Sequence, residues 1–222
     1  MKNIPVQKGI AHIALVVVAV VVVALIIMAF VSGAANVDFS ITRDGETEQG
    51  SEEDSAERST LDRSNVEAEK YENSDYNISL YYPNDWEVQE GSGYDFVASF
   101  LSPLEFDGDD FRENVILSVT DMSQFEGITV SQTMDAWVQQ TESDTTFTGF
   151  EVVSREGATL DGHSAEQIVY VAERDGFKAR GSTIVVLVDM VAYVFTYTAA
   201  VGSYDTFYRD LIGILDNVQF IL

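Results

Sequence analysis

The densest group of potential ligands in this chain is the stretch Phe106-Asp107-Gly108-Asp109-Asp110-Phe111-Arg112-Glu113. Asp107, Asp109, Asp110 and Glu113 place four carboxylates within one short loop, and hard oxygen ligands of that kind suit calcium. The spacing departs from the EF-hand pattern, because Arg112 stands where that motif needs its glycine. The plain alternative is a solvated acidic loop. His163 lies beside Ser164 and Asp161. A Ser–His–Asp set needs side chains that converge in space with an oxyanion hole, so three near-neighbours on one turn read as an exposed turn instead. One histidine also falls short of the three or four ligands that zinc takes. Gly91-Ser92-Gly93 is too short for a phosphate loop and lacks the following lysine. Trp86, Tyr81, Tyr82, Trp137 and Tyr193 are aromatic enough to line a pocket, but at strand and helix spacing they read as core. Asn77-Ile78-Ser79 is an N-glycosylation sequon inside an expected strand. These residues define no reaction centre, and the expectation is a non-enzymatic chain with no cofactor beyond the calcium candidate.

Composition narrows the chemistry further. Lys plus Arg is 12 against 37 Asp plus Glu, a formal net charge of −25. Such a chain repels nucleic acid, whose binding rests on neutralising phosphates, and it repels anionic lipid headgroups. Cysteine is absent, which excludes disulfides, thiolate metal sites and thiol catalysis. The folded part must therefore rest on its hydrophobic core, and about 150 residues bury enough surface to make that feasible.

The elements that position these residues begin with an apolar run, Ile10–Val31, in which only His12 is polar. As a helix it spans roughly 33 Å at the α-helical rise, enough for a hydrocarbon core of about 30 Å. It is longer than the apolar part of a cleaved signal. Lys2 and Lys8 precede it and acidic residues follow from Asp38. Positive charge stays inside, so residues 1–9 are expected in the cytoplasm, 10–31 in the membrane lipid and the remainder outside. Lys8-Gly9 ahead of the run also resembles the leader of archaeal type IV pilin-like proteins, which are cut after the glycine. Those proteins often carry a glutamate five residues after the cut, where Ala14 stands here. Residues 32–73 are rich in acids and sparse in large apolar side chains, which reads as a flexible acidic linker.

A folded domain is expected over residues 74–222. Strands are expected at Tyr76–Tyr82, Trp86–Gln89, Asp95–Leu101, Asn114–Thr120, Phe150–Arg155, Ala165–Glu173, Phe177–Leu187 and Val191–Ala199. Thr129 caps a helix whose Val130, Met134, Trp137 and Val138 share one face. Ser203 is expected to cap a second, with Phe207, Leu211, Ile214, Leu215 and Val218 as its buried stripe. Short turns such as Asp175-Gly176 pair neighbouring strands antiparallel. The fold class is therefore α+β, an antiparallel sheet covered by helices.

Tyr82-Pro83-Asn84-Asp85-Trp86 resembles the strand-and-YPxxW opening of the PsbP-like family. Leu160-Asp161-Gly162-His163-Ser164-Ala165 resembles that family's LxGxxA turn into a long hairpin. Val194–Ala199, followed by Tyr204, Phe207, Leu211 and Phe220, resembles its closing strand and helix. The resemblance covers about residues 74–222 and implies an α/β/α sandwich around an antiparallel sheet. The family includes an extrinsic protein of photosystem II and shares its fold with nuclear-import proteins that bind Ran. It carries no catalytic residue over to this chain. The leading expectation is thus a membrane-anchored extracytoplasmic binding or accessory domain that docks on an envelope protein or complex. The alternatives are a ligand- or ion-sensing surface domain and a pilin-like or surface structural component.

Overall fold

The computed structural model describes residues 63, 66–91, 95–106, 109, 111–174 and 176–221. The expected cytoplasmic N-terminus, the apolar run 10–31 and linker residues 32–62 lie outside the described residues, as do Ser92, Gly93 and Asp175. Among the described residues, no helix is long and apolar enough to cross a membrane.

In chain order the elements are β1 (Ala68–Asn73), β2 (Ile78–Pro83), β3 (Glu87–Glu90), β4 (Phe96–Leu101) and β5 (Asn114–Asp121), then helix α1 (Val130–Ser143). They continue with β6 (Thr148–Leu160), β7 (His163–Arg174), β8 (Phe177–Val188), β9 (Val191–Ala200), helix α2 (Tyr204–Asp216) and β10 (Gln219–Phe220). The strands form a seven-stranded sheet, β3-β4-β5-β9-β8-β7-β6, and a three-stranded sheet, β1-β2-β10. Every pairing is antiparallel.

Alternation along the central strands sends successive side chains to opposite faces. On β8, Ile184 and Val186 join the cluster that contains Phe207, Leu211 and Ile214 of α2 and Ile78 and Leu80 of β2. Val185, between them, joins Met134 and Trp137 of α1. The helices therefore lie on opposite faces of the large sheet, and the small sheet shares the face of α2. The α+β class and the two helices stand as expected. The expected sheet is in fact two sheets.

The reason lies in two strands that the pattern of residues conceals. β1 falls inside the segment read as flexible linker, so the folded part begins before residue 74. Of its six residues only Tyr71 is buried, and the charged remainder looks like tether composition. β10 is two residues long and is held from a distance: the Phe220 N–H donates to Asp161 Oδ2 at 2.8 Å. The strand expected from Phe150 to Arg155 runs in full from Thr148 to Leu160 and pairs with β7 up to a turn at Asp161-Gly162. Both turn residues have positive φ, 45° and 79°, the geometry of a two-residue hairpin whose twist matches its strands. Asn77 is not in a strand: it is exposed on the turn before β2, with φ 50°.

Candidate contact surface

The loop between β4 and β5 carries the acidic stretch, and backbone geometry fixes its base: Ser102 N–H donates to Glu113 O at 2.8 Å. Arg112 folds back across it. Its Nη2 donates to Leu101 O at 3.1 Å, its Nε to Ser102 O, and its Nη1 to Glu87 Oε2 at 2.6 Å. That tie joins the loop to the start of β3. Phe111 packs on Phe177, at the start of β8, with ring centroids 4.6 Å apart. Ser203, in the turn between β9 and α2, donates its hydroxyl to Glu105 Oε2 at 2.5 Å. Three separate segments thus meet the loop at one end of the large sheet.

Two carboxylates of the loop, Asp109 and Glu113, have partners within the protein. Asp109 accepts the Glu105 N–H on Oδ2 at 3.0 Å and the Phe111 N–H on Oδ1 at 3.1 Å, so both of its oxygens serve the loop's own backbone. Glu113 is 1 % exposed and accepts from the Ser102 hydroxyl at 3.2 Å. Burial pushes its carboxyl up from 4.5 to about 7; its own backbone N–H and Ser102 pull against that, and Glu105 and Asp109 add to it. Tyr197, nearby on β9, is raised by burial and then by the Glu113 charge. Of the four calcium candidates, Asp109 and Glu113 are thus placed, while Asp107 and Asp110 lie outside the described residues. Among the described residues no three His, Cys, Asp or Glu side chains are grouped to hold a metal ion.

The outer surface of the same end is apolar. Leu104 is 51 % exposed, Phe106 58 %, Phe177 38 % and Val201 54 %. These four are half of the large apolar side chains exposed among the described residues, and Ile221, beyond β10, lies at the opposite end. Neither their types nor their spacing marks them in the sequence. Only the register that pairs Asn114 with Thr198 and Ala179 with Ala200 brings their segments together.

The remaining residues of interest have structural roles. Asp161 caps β10 through Phe220, and His163 stacks edge-on against the Phe220 ring at 5.5 Å, so this turn fastens the C-terminal strand. Trp86, Tyr82, Trp137 and Tyr193 are buried in the core, whereas Tyr81 is exposed. A further group was not legible beforehand. Arg63 donates from Nη1 and Nη2 to Asp85 at 2.9 Å each. Its Nε forms a 2.6 Å ion pair with Asp210, and its guanidinium lies 5.1 Å from the Phe207 ring centroid.

This arrangement of strands and helices recurs in solved structures. CyanoP from Synechocystis sp. PCC 6803 is similar with a TM-score of 0.53 and 15% identity, covering 70% of this chain and 93% of that one. LpqN, described as involved in cell envelope biogenesis of Mycobacterium tuberculosis, gives 0.54 at 14% identity, covering 71% and 92%. The Ran-binding protein Mog1p of Saccharomyces cerevisiae gives 0.52 at 9% identity, covering 70% and 96%. At these identities the likeness is one of fold. No curated protein sequence matches the chain. The family of PsbP-like proteins matches residues 14–220, and on that extent of agreement the chain belongs to it.

Proposed function

We propose that this protein is a membrane-anchored, extracytoplasmic accessory module that acts by contact with an envelope protein or complex and not by catalysis. The observation that carries this reading is a PsbP-like domain borne behind an apolar run long enough to span a bilayer. The family match reaches back to residue 14, inside that run. LpqN, which shares the fold, is described by a role in cell envelope biogenesis, and Mog1p by binding another protein. The lysines before the run and the acids after it favour an outside domain.

The test is cross-linking of the tagged full-length protein in its native membrane, followed by mass spectrometry. One recurrent envelope protein, lost when residues 63–222 are deleted, supports the reading. Recovery of only its own copies, with a mature N-terminus at Ile10, overturns it in favour of a pilin-like component.

A second reading, an ion-responsive loop, has one observation in its favour. Burial first, and then the like charges of Glu105 and Asp109, raise the Glu113 carboxyl, and a cation offsets the like-charge part of that. Millimolar calcium in low salt then raises the melting temperature of the full-length protein. An unchanged melting temperature removes Asp107, Asp109, Asp110 and Glu113 as calcium ligands.

A further inference from the structure

We propose that the end of the domain formed by Leu104, Phe106, Phe177 and Val201 rests in the interfacial zone of the lipid bilayer that holds the chain's own apolar run. The inference rests on the reading of residues 10–31 as an anchor and adds an orientation and a lipid contact to it.

The first support is where the chain enters the domain. β1 begins beside the end of β2, since Ala68 pairs with Pro83 and Asn84 N–H donates to Glu67 O at 2.8 Å. The turn that follows β2 carries Asp85, which Arg63 grips. That turn leads into Glu87, which pairs with Leu101 and binds Arg112 at the base of the acidic loop. The entry point and the apolar patch are therefore at the same end. The segment between Val31 and Arg63 reaches about 110 Å at most, even fully extended. A domain tethered this way meets the bilayer at high effective concentration, so a weak contact is enough to orient it.

The second support is the charge of the patch. A chain of net charge −25 is repelled from anionic headgroup surfaces, and among the described residues of this end several carboxylates have partners within the protein. Glu105 is engaged by Ser203, Asp109 by two backbone N–H groups, and Glu113 is buried. Glu173 stands across from Lys178 in the β7–β8 register, and the exposed Asp205 lies 4.0 Å from Arg180. Leu104, Phe106, Phe177 and Val201 are exposed apolar groups of this end, and leucine and phenylalanine are side chains that settle at the boundary between headgroups and acyl chains.

The chain contains no cysteine, so a single introduced one labels a unique position. The experiment uses the full-length protein, first subjected to carbonate extraction of its membrane and then reconstituted in phosphatidylcholine nanodiscs. Leu104→Cys carries an environment-sensitive fluorophore, with Ile221→Cys, exposed at the opposite end, as the control. Quenching by brominated lipid is compared with quenching by aqueous iodide, and circular dichroism checks each fold. The expected result is several-fold stronger bromolipid quenching at position 104 than at 221, lost when Phe106→Ser and Phe177→Ser are added. A label at 104 that only iodide reaches overturns the lipid contact and leaves the anchor intact. If that same label is shielded only in native membranes, where it cross-links to a protein, the lipid contact is overturned and docking on an envelope protein gains this end as its surface. Release of the chain by carbonate overturns the anchor and the lipid contact together.

Discussion

Arg63 and Asp85 form a fork of two parallel hydrogen bonds, 2.9 Å each, between the segment that enters the domain and the turn after β2. The Arg63 side chain keeps only 11% of its exposure, and its Nε lies 2.6 Å from the half-buried Asp210. Burial raises the Asp210 carboxyl, and the Arg63 charge is the main force against that rise. Removing the arginine leaves a buried carboxylate without its cation. Arg63→Ala is expected to cost about 3 kcal/mol of stability at neutral pH, as breaking a buried pair does. The loss shrinks as pH falls through the carboxylate range, because a protonated Asp210 needs no partner. Urea unfolding at two pH values checks both parts. A truncation that begins at residue 66 should reproduce the loss, and one that begins at residue 62 should not.

Glu113 gives stability a dependence on pH of the less common sign. Its carboxyl titrates near 4.5 when unfolded and at about 7 when folded. Between those values the folded state binds the extra proton, so stability is highest below 4.5, falls as pH rises towards 7 and is flat above. A shift of this size corresponds to up to about 3 kcal/mol. Glu113→Gln keeps the shape and removes the ionisation. The variant is expected to be more stable than the parent above pH 7 and to lose this component of the slope. Melting temperatures from pH 4 to pH 8.5 read the difference.

How far such features were legible depends on whether short-range pattern or long-range register creates them. The strand Asn114–Asp121 is buried at seven of its eight positions, and the composition NVILSVT announces it. The α1 face of Met134 and Trp137 is likewise a repeat within one element. β1 offered no such pattern, because a single buried tyrosine among charged neighbours is what an edge strand and a tether have in common. The acidic loop was visible as a cluster of oxygens. That Asp109 spends both oxygens on backbone N–H groups, and that Glu113 is buried, depend on how the loop folds back over the sheet. The apolar end could not be read at all: Leu104, Phe177 and Val201 lie in three separate segments and share no period.

Gly181 on β8 shows what the packing of Tyr170 requires. A Cβ built at this glycine would overlap the Tyr170 ring, which is buried with Trp137 and Phe150 at centroid distances of 5.4 Å to each. Gly181→Ala is expected to cost about 2 kcal/mol through overpacking and to change the emission of Trp137. Adding Tyr170→Leu, which removes the ring, should recover most of that loss beyond the sum of the single effects. A double-mutant cycle by chemical denaturation measures this coupling.

The two helix caps make a contrasting pair. Thr129 closes a capping box with Gln132: Gln132 N–H donates to the Thr129 hydroxyl at 3.2 Å and Thr129 N–H to Gln132 Oε1 at 3.0 Å. Ser203, expected to do the same for α2, makes no side-chain cap bond there. Its hydroxyl goes to Glu105 instead. Thr129→Ala should therefore cost about 1 kcal/mol, with faster amide exchange confined to the first turn of α1. Ser203→Ala should leave exchange in the first turn of α2 nearly unchanged and speed it at Glu105, Asp109 and Phe111, because the bond it removes holds the loop and not the helix. Hydrogen exchange with peptide resolution separates the two outcomes. Faster exchange in α2 alone would return Ser203 to the role of an ordinary cap and detach the loop from the turn that precedes α2.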